Sequence, residues 1–66
     1  MRIEIEREED GRWIAEIPEL PGVMVYGDTR KQAISKAEAL ALRVMADRLD
    51  HEEEIPELKG VFAISA

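Results

Sequence analysis

The chain has 66 residues, fifteen Asp and Glu against nine Lys and Arg, a formal net charge of −6 and no cysteine. A domain this small buries only about 60% of the surface its unfolded chain exposes, and without cysteine it has neither a disulfide nor a thiolate zinc site to compensate. The acidic surface repels phosphate backbones and so argues against direct nucleic-acid binding. It favours a basic partner instead. No stretch is long and apolar enough to span a membrane, and the N-terminus has no apolar leader; a cytoplasmic location is expected. Self-association into a dimer or tetramer is the remaining route to stability.

Met1 to Glu8 alternates, with Met1, Ile3 and Ile5 on one side and Arg2, Glu4, Glu6 and Glu8 on the other. That is the period-two pattern of a half-buried strand. Glu9-Asp10-Gly11 then signals a hairpin. The return strand, Arg12 to Ile17, puts Trp13, Ala15 and Ile17 on the core face and Arg12, Ile14 and Glu16 on the other. Pro18 ends it. Ile17-Pro18-Glu19-Leu20-Pro21-Gly22-Val23 is a turn segment feeding a third strand, Val23 to Tyr26, which is apolar on both faces. A strand apolar on both faces is covered on both, so Ile14, Met24 and Tyr26 are candidates for self-association.

Thr29-Arg30-Lys31-Gln32 fits a capping box and predicts a helix from about Arg30 to Leu49. Ile34, Ala37, Leu40, Ala41, Val44 and Met45 fall on one stripe, with Leu42 off that stripe as a second contact for self-association. Ile55-Pro56-Glu57-Leu58-Lys59-Gly60-Val61 repeats the earlier turn segment at six of seven positions. Reading it as the same strand-launching device predicts a fourth strand, Val61 to Ser65. The expected architecture is α+β, β-β-β-α-β, with a four-stranded mixed sheet of order 3-2-1-4, strand four parallel to strand one, and one helix on one face. All of residues 1–66 form a single domain.

Asp10-Gly11, Trp13-Ile14-Ala15, Ile17-Pro18-Glu19-Leu20-Pro21-Gly22, Gly27-Asp28-Thr29, the alanine-rich run Ala33 to Ala41 and Ile55-Pro56 together resemble the HicB-type antitoxin domain. Val23 stands where that family often has Cys. The resemblance implies a partial RNase H-like fold. It also implies a partner, a small basic HicA-like ribonuclease that cleaves messenger RNA and that the domain neutralises by covering its active site. The family usually carries a C-terminal helix-turn-helix or ribbon-helix-helix segment; here the chain stops at Ala66, so operator binding is not expected of it. An alternative within the same resemblance is an orphan HicB-like domain, an oligomeric adaptor or ligand binder with no toxin partner.

The acidic strand face, Glu4, Glu6 and Glu16, and the acidic segment Glu52, Glu53 and Glu54 are the candidate toxin contacts. Clustered carboxylates can hold Mg²⁺ for phosphoryl chemistry, but a solvent-facing strand is ordinarily charged, and Arg2 and Arg12 are natural cross-strand partners for this row. His51 is the only histidine and stands just past the helix, where a cation interacts well with the helix terminus. No Ser, His and acid form a nucleophilic set, and no glycine-rich loop cradles phosphate. Neither catalytic activity nor a cofactor or metal is expected.

Overall fold

The computed structural model describes residues 1–65. Its elements are β1 (Glu4–Arg7), β2 (Trp13–Glu16), β3 (Met24–Gly27), α1 (Arg30–Asp50) and a single 3₁₀ turn (Pro56–Leu58). The three strands form one antiparallel sheet in the order β1-β2-β3. Glu6 is opposite Ile14, and Ile14 is in turn opposite Tyr26. β1 and β2 are joined by the loop 9–11, closed by Glu8 N–H to the Arg12 carbonyl at 2.7 Å and Gly11 N–H to the Glu8 carbonyl at 3.0 Å.

The expected fourth strand and the 3-2-1-4 sheet are not formed. Val61 to Ser65 runs as turn and irregular backbone, exposed throughout, with no ladder to β1. The fold is therefore β-β-β-α. The reason is that β-propensity expresses the fit of a side chain to a paired, half-covered surface rather than an intrinsic backbone preference. Val23 meets such a surface and Val61 does not.

Between β2 and β3 the chain makes two successive turns. Leu20 N–H donates to the Ile17 carbonyl and Val23 N–H to the Leu20 carbonyl, each at 3.0 Å. In the second turn Pro21 precedes Gly22, whose φ of +89° is the left-handed value required at that position of a type II turn. A third bond, Ile17 N–H to the Val23 carbonyl at 3.0 Å, ties the two ends together and sets the register of β3 on β2. Leu20 and Val23 are each 1% exposed, the largest fully buried side chains of the fold.

α1 starts where the capping box places it. Thr29 is extended (φ −125°, ψ 160°), and its Oγ1 accepts from Gln32 N–H at 3.0 Å. Gln32 Oε1 closes the box one residue early, on Asp28 N–H at 2.6 Å rather than on Thr29. The buried line of the helix is Ala33, Ala37, Ala41 and Met45, with Leu40 and Val44 packed beside it. Ile34, expected on the core stripe, is only half-buried. The small side chains bring helix and sheet close together, and Gly27 completes the approach. A Cβ on Gly27 would lie 2.5 Å from Ala33 N and 2.8 Å from Ala33 Cα. Gly27 is thus a packing glycine rather than the turn glycine its position between strand and helix suggests.

At its C-terminus α1 ends in a Schellman-type arrangement: Glu53 N–H donates to the Arg48 carbonyl and Glu52 N–H to the Leu49 carbonyl, both at 2.9 Å. The left-handed residue there, where glycine is usual, is Glu52 at φ +59°. At 21 residues the helix is about 31 Å long, against about 13 Å for a four-residue strand, so it overhangs the sheet. Ile55, buried, and Leu58, half-buried, return to join the core that the overhang would otherwise leave open. No helix among the described residues is long and apolar enough to cross a membrane.

Candidate protein-binding face

The helix covers one face of the sheet and leaves the other to solvent. Alternation along three paired strands places Glu4 and Glu6 of β1, Ile14 and Glu16 of β2, and Met24 and Tyr26 of β3 on that open face. The register makes two rows of it, Glu4-Glu16-Met24 and Glu6-Ile14-Tyr26. The carboxylates thus gather at the β1 side and the apolar groups at the β3 side. Met24 and Tyr26 are exposed and Ile14 is half-buried between its neighbours.

Glu4 and Glu16 are directly opposite each other. Like charges in that position destabilise a sheet, and among the described residues a single salt bridge reaches the pair. Arg2 reaches Glu4 across an exposed 3.6 Å ion pair, of the kind that contributes little in water. Arg12, expected as a cross-strand partner for this row, goes elsewhere. Its Nε lies 2.7 Å from Asp10 Oδ2 in the hairpin loop, and its guanidinium stacks 4.4 Å from the centre of the Tyr26 ring. The bonds to the Arg12 backbone and side chain hold the Asp10 carboxyl below the usual carboxylate range, and Asp10 in turn raises Arg12. A two-residue separation made this pairing cheap in chain entropy, and among the described residues neither Glu6 nor Glu16 forms a salt bridge.

The other candidate contacts fall in different places. Glu52, Glu53 and Glu54 are exposed in the turn after α1, on the helix layer and off the open sheet face, so the two acidic groups do not form one surface. Leu42, grouped by sequence with Ile14, Met24 and Tyr26, is exposed on α1 beside a groove at the β1 edge. His51 caps its own helix, with Nδ1 2.8 Å from the Asp47 carbonyl. Among the described residues no group of three or more His, Asp or Glu is arranged to hold a metal ion.

One carboxylate with a structural role was not singled out by pattern. Glu19 Oε2 accepts Arg2 N–H at 2.9 Å across seventeen residues and ties the start of β1 to the turn segment. That bond, first, holds the Glu19 carboxyl below its ordinary range. Its other oxygen, Oε1, is buried without a partner.

Comparison with protein-family models, with curated proteins and with solved structures finds no match. The likeness to the HicB-type domain rests on the motif residues of the chain.

Proposed function

We propose that the chain is an antitoxin-type protein-binding module that neutralises a small basic HicA-like ribonuclease in the cytoplasm by covering its active site. The observation that supports this reading is the open sheet face, where Glu4 and Glu16 confront each other across the strands beside the exposed Met24 and Tyr26. A ribonuclease must be basic where it holds RNA. A Lys or Arg of such a site, set over Glu16 between Glu4 and Glu6, relieves the Glu4–Glu16 repulsion in the sheet as it loses its RNA-binding charge. Ile14, Met24 and Tyr26 supply the apolar core that a specific interface needs beside its charges. Neither cofactor nor metal is required, because occlusion and charge complementarity carry the inhibition.

The test pairs the domain with a small basic HicA-like ribonuclease. The domain is expected to abolish RNA cleavage near equimolar ratio. The double reversal Glu6→Lys with Glu16→Lys, both exposed and checked for folding by circular dichroism, is expected to weaken inhibition by at least tenfold. Undiminished cleavage at saturating domain overturns the reading.

The apolar half of the face favours a second reading, an orphan HicB-like oligomeric adaptor or ligand binder whose copies meet through Ile14, Met24 and Tyr26. The two readings part on salt: a basic partner held by carboxylates is released as ionic strength rises, whereas apolar self-association is not.

A further inference from the structure

The segment after the second turn stands off from the domain. Val61, Phe62 and Ile64 are 60%, 74% and 100% exposed, three large apolar side chains within four residues. The chain measures 52 × 19 × 15 Å, with a radius of gyration of 14.0 Å, where a compact chain of this length has about 11 Å. At the β1 edge the same chain has an open apolar groove. It is lined by Met1 and Ile3 just ahead of β1, by Ile17 just past β2, and by Ala41, Leu42 and Met45 of α1, with Glu38 on its rim. Met1 and Leu42 are exposed in it. Contiguous apolar surface of this kind on a soluble chain marks an interaction site.

We propose that the groove of one copy holds the Val61–Ile64 segment of a second copy, with Phe62 as the anchor, in a reciprocal two-fold exchange. Groove and occupant are both apolar, and a chain short of core must find burial by association. The charges agree locally despite the acidic whole. Lys59 is the sole charge in residues 58–65, and seating the segment brings it toward Glu38 on the partner's rim. A second copy also satisfies the symmetry requirement, because a two-fold exchange uses each groove and each segment once and closes without leaving either free. The area is adequate. Phe62 alone brings about 150–250 Å², and two segments with the two grooves they cover reach on the order of the 1,000 Å² that separates a specific interface from a chance contact. This surface is separate from the open sheet face, so the exchange does not depend on the antitoxin reading.

The native chain contains no cysteine, so a paired substitution reports one contact. Leu42→Cys with Ile64→Cys places both thiols at exposed sites where folding is not at stake. Under mild oxidation the expected product is a covalent dimer, resolved on a non-reducing gel and by mass spectrometry, while the control pair Lys36→Cys with Ile64→Cys stays uncoupled. A closed ring at the mass of one chain shows the segment folding onto its own groove and overturns the proposal. So does absence of coupling, or equal coupling in the control. Independently, Phe62→Asp is expected to raise the dimer dissociation constant at least tenfold by sedimentation equilibrium; an unchanged constant contradicts the exchange.

Discussion

Ile17 to Val23 and Ile55 to Val61 are nearly the same sequence, and they fold into the same pair of turns. In each, Leu N–H donates to the Ile carbonyl and Val N–H to the Leu carbonyl, all at 3.0 Å. In each, a glycine sits at the same left-handed position, Gly22 at φ +89° and Gly60 at φ +85°. Then they diverge. The first leads into β3, buries Leu20 and Val23 at 1% exposure each and is closed by the Ile17–Val23 bond. The second leaves Leu58 half-buried and Val61 exposed, and continues into irregular chain. Local sequence sets the turn; a strand forms only where a neighbouring edge and a covering layer are within reach.

That contrast gives a ranked set of expectations. The largest difference is between the two leucines. Leu20→Ala is expected to cost about 2–5 kcal/mol, as for a fully buried leucine, and Leu58→Ala clearly less, both read from urea unfolding midpoints. Equal costs would mean that the second segment is as deeply embedded as the first. Next is Gly27, which lets β3 lie against α1 and has no counterpart after the second turn. Gly27→Ala puts a Cβ against the Ala33 backbone and is expected to cost about 1–3 kcal/mol, with the melting temperature falling accordingly. A neutral effect would show that the helix can move away freely.

The glycine pair discriminates more finely. Alanine at Gly22 or Gly60 carries the same left-handed strain, about 1–2 kcal/mol. For Gly22→Ala the whole cost is expected in global stability. For Gly60→Ala most of it is expected to vanish, because the second turn can open without unfolding the sheet. The smallest effect belongs to Glu19, which in the first segment bonds Arg2 N–H across seventeen residues. The Glu19 carboxyl is held below its ordinary range chiefly by Arg2 N–H. A depressed carboxyl stabilises the fold above its unfolded pKa, and that contribution is lost as pH falls through the lower folded value. Glu19→Gln is therefore expected to flatten the loss of stability between neutral and acidic pH relative to the unsubstituted chain. Identical profiles would remove the Glu19–Arg2 bond from the account.

Most of the sheet and helix was legible in the sequence, for identifiable reasons. The alternation of Ile3, Glu4, Ile5 and Glu6 fixed faces, Thr29 and Gln32 fixed the start of α1, and the same alternation placed Glu4, Glu6 and Glu16 together on the open face. What failed was mostly non-local. Val61 to Ser65 has the composition of a strand, and nothing within it records the missing neighbour. Gly27 reads as a turn residue because its constraint is the backbone of Ala33 above it; the line Ala33, Ala37, Ala41 was the available sign of so close an approach. Arg12 was assigned across the strands, but Asp10 lies two residues away and captures it. Leu42, read as lying off the core stripe, is exposed on α1 and lines the β1 groove.

The central claim is that one sequence makes one turn twice and that its outcome depends on what it meets. Hydrogen exchange at residues 24–27 and 61–65, followed across chain concentration, tests it most directly. The account predicts that amides of β3 are protected at every concentration, while those of Phe62 to Ile64 exchange freely in dilute solution and gain protection only as copies associate. Protection of residues 61–65 that is present in the dilute monomer and independent of concentration would contradict it.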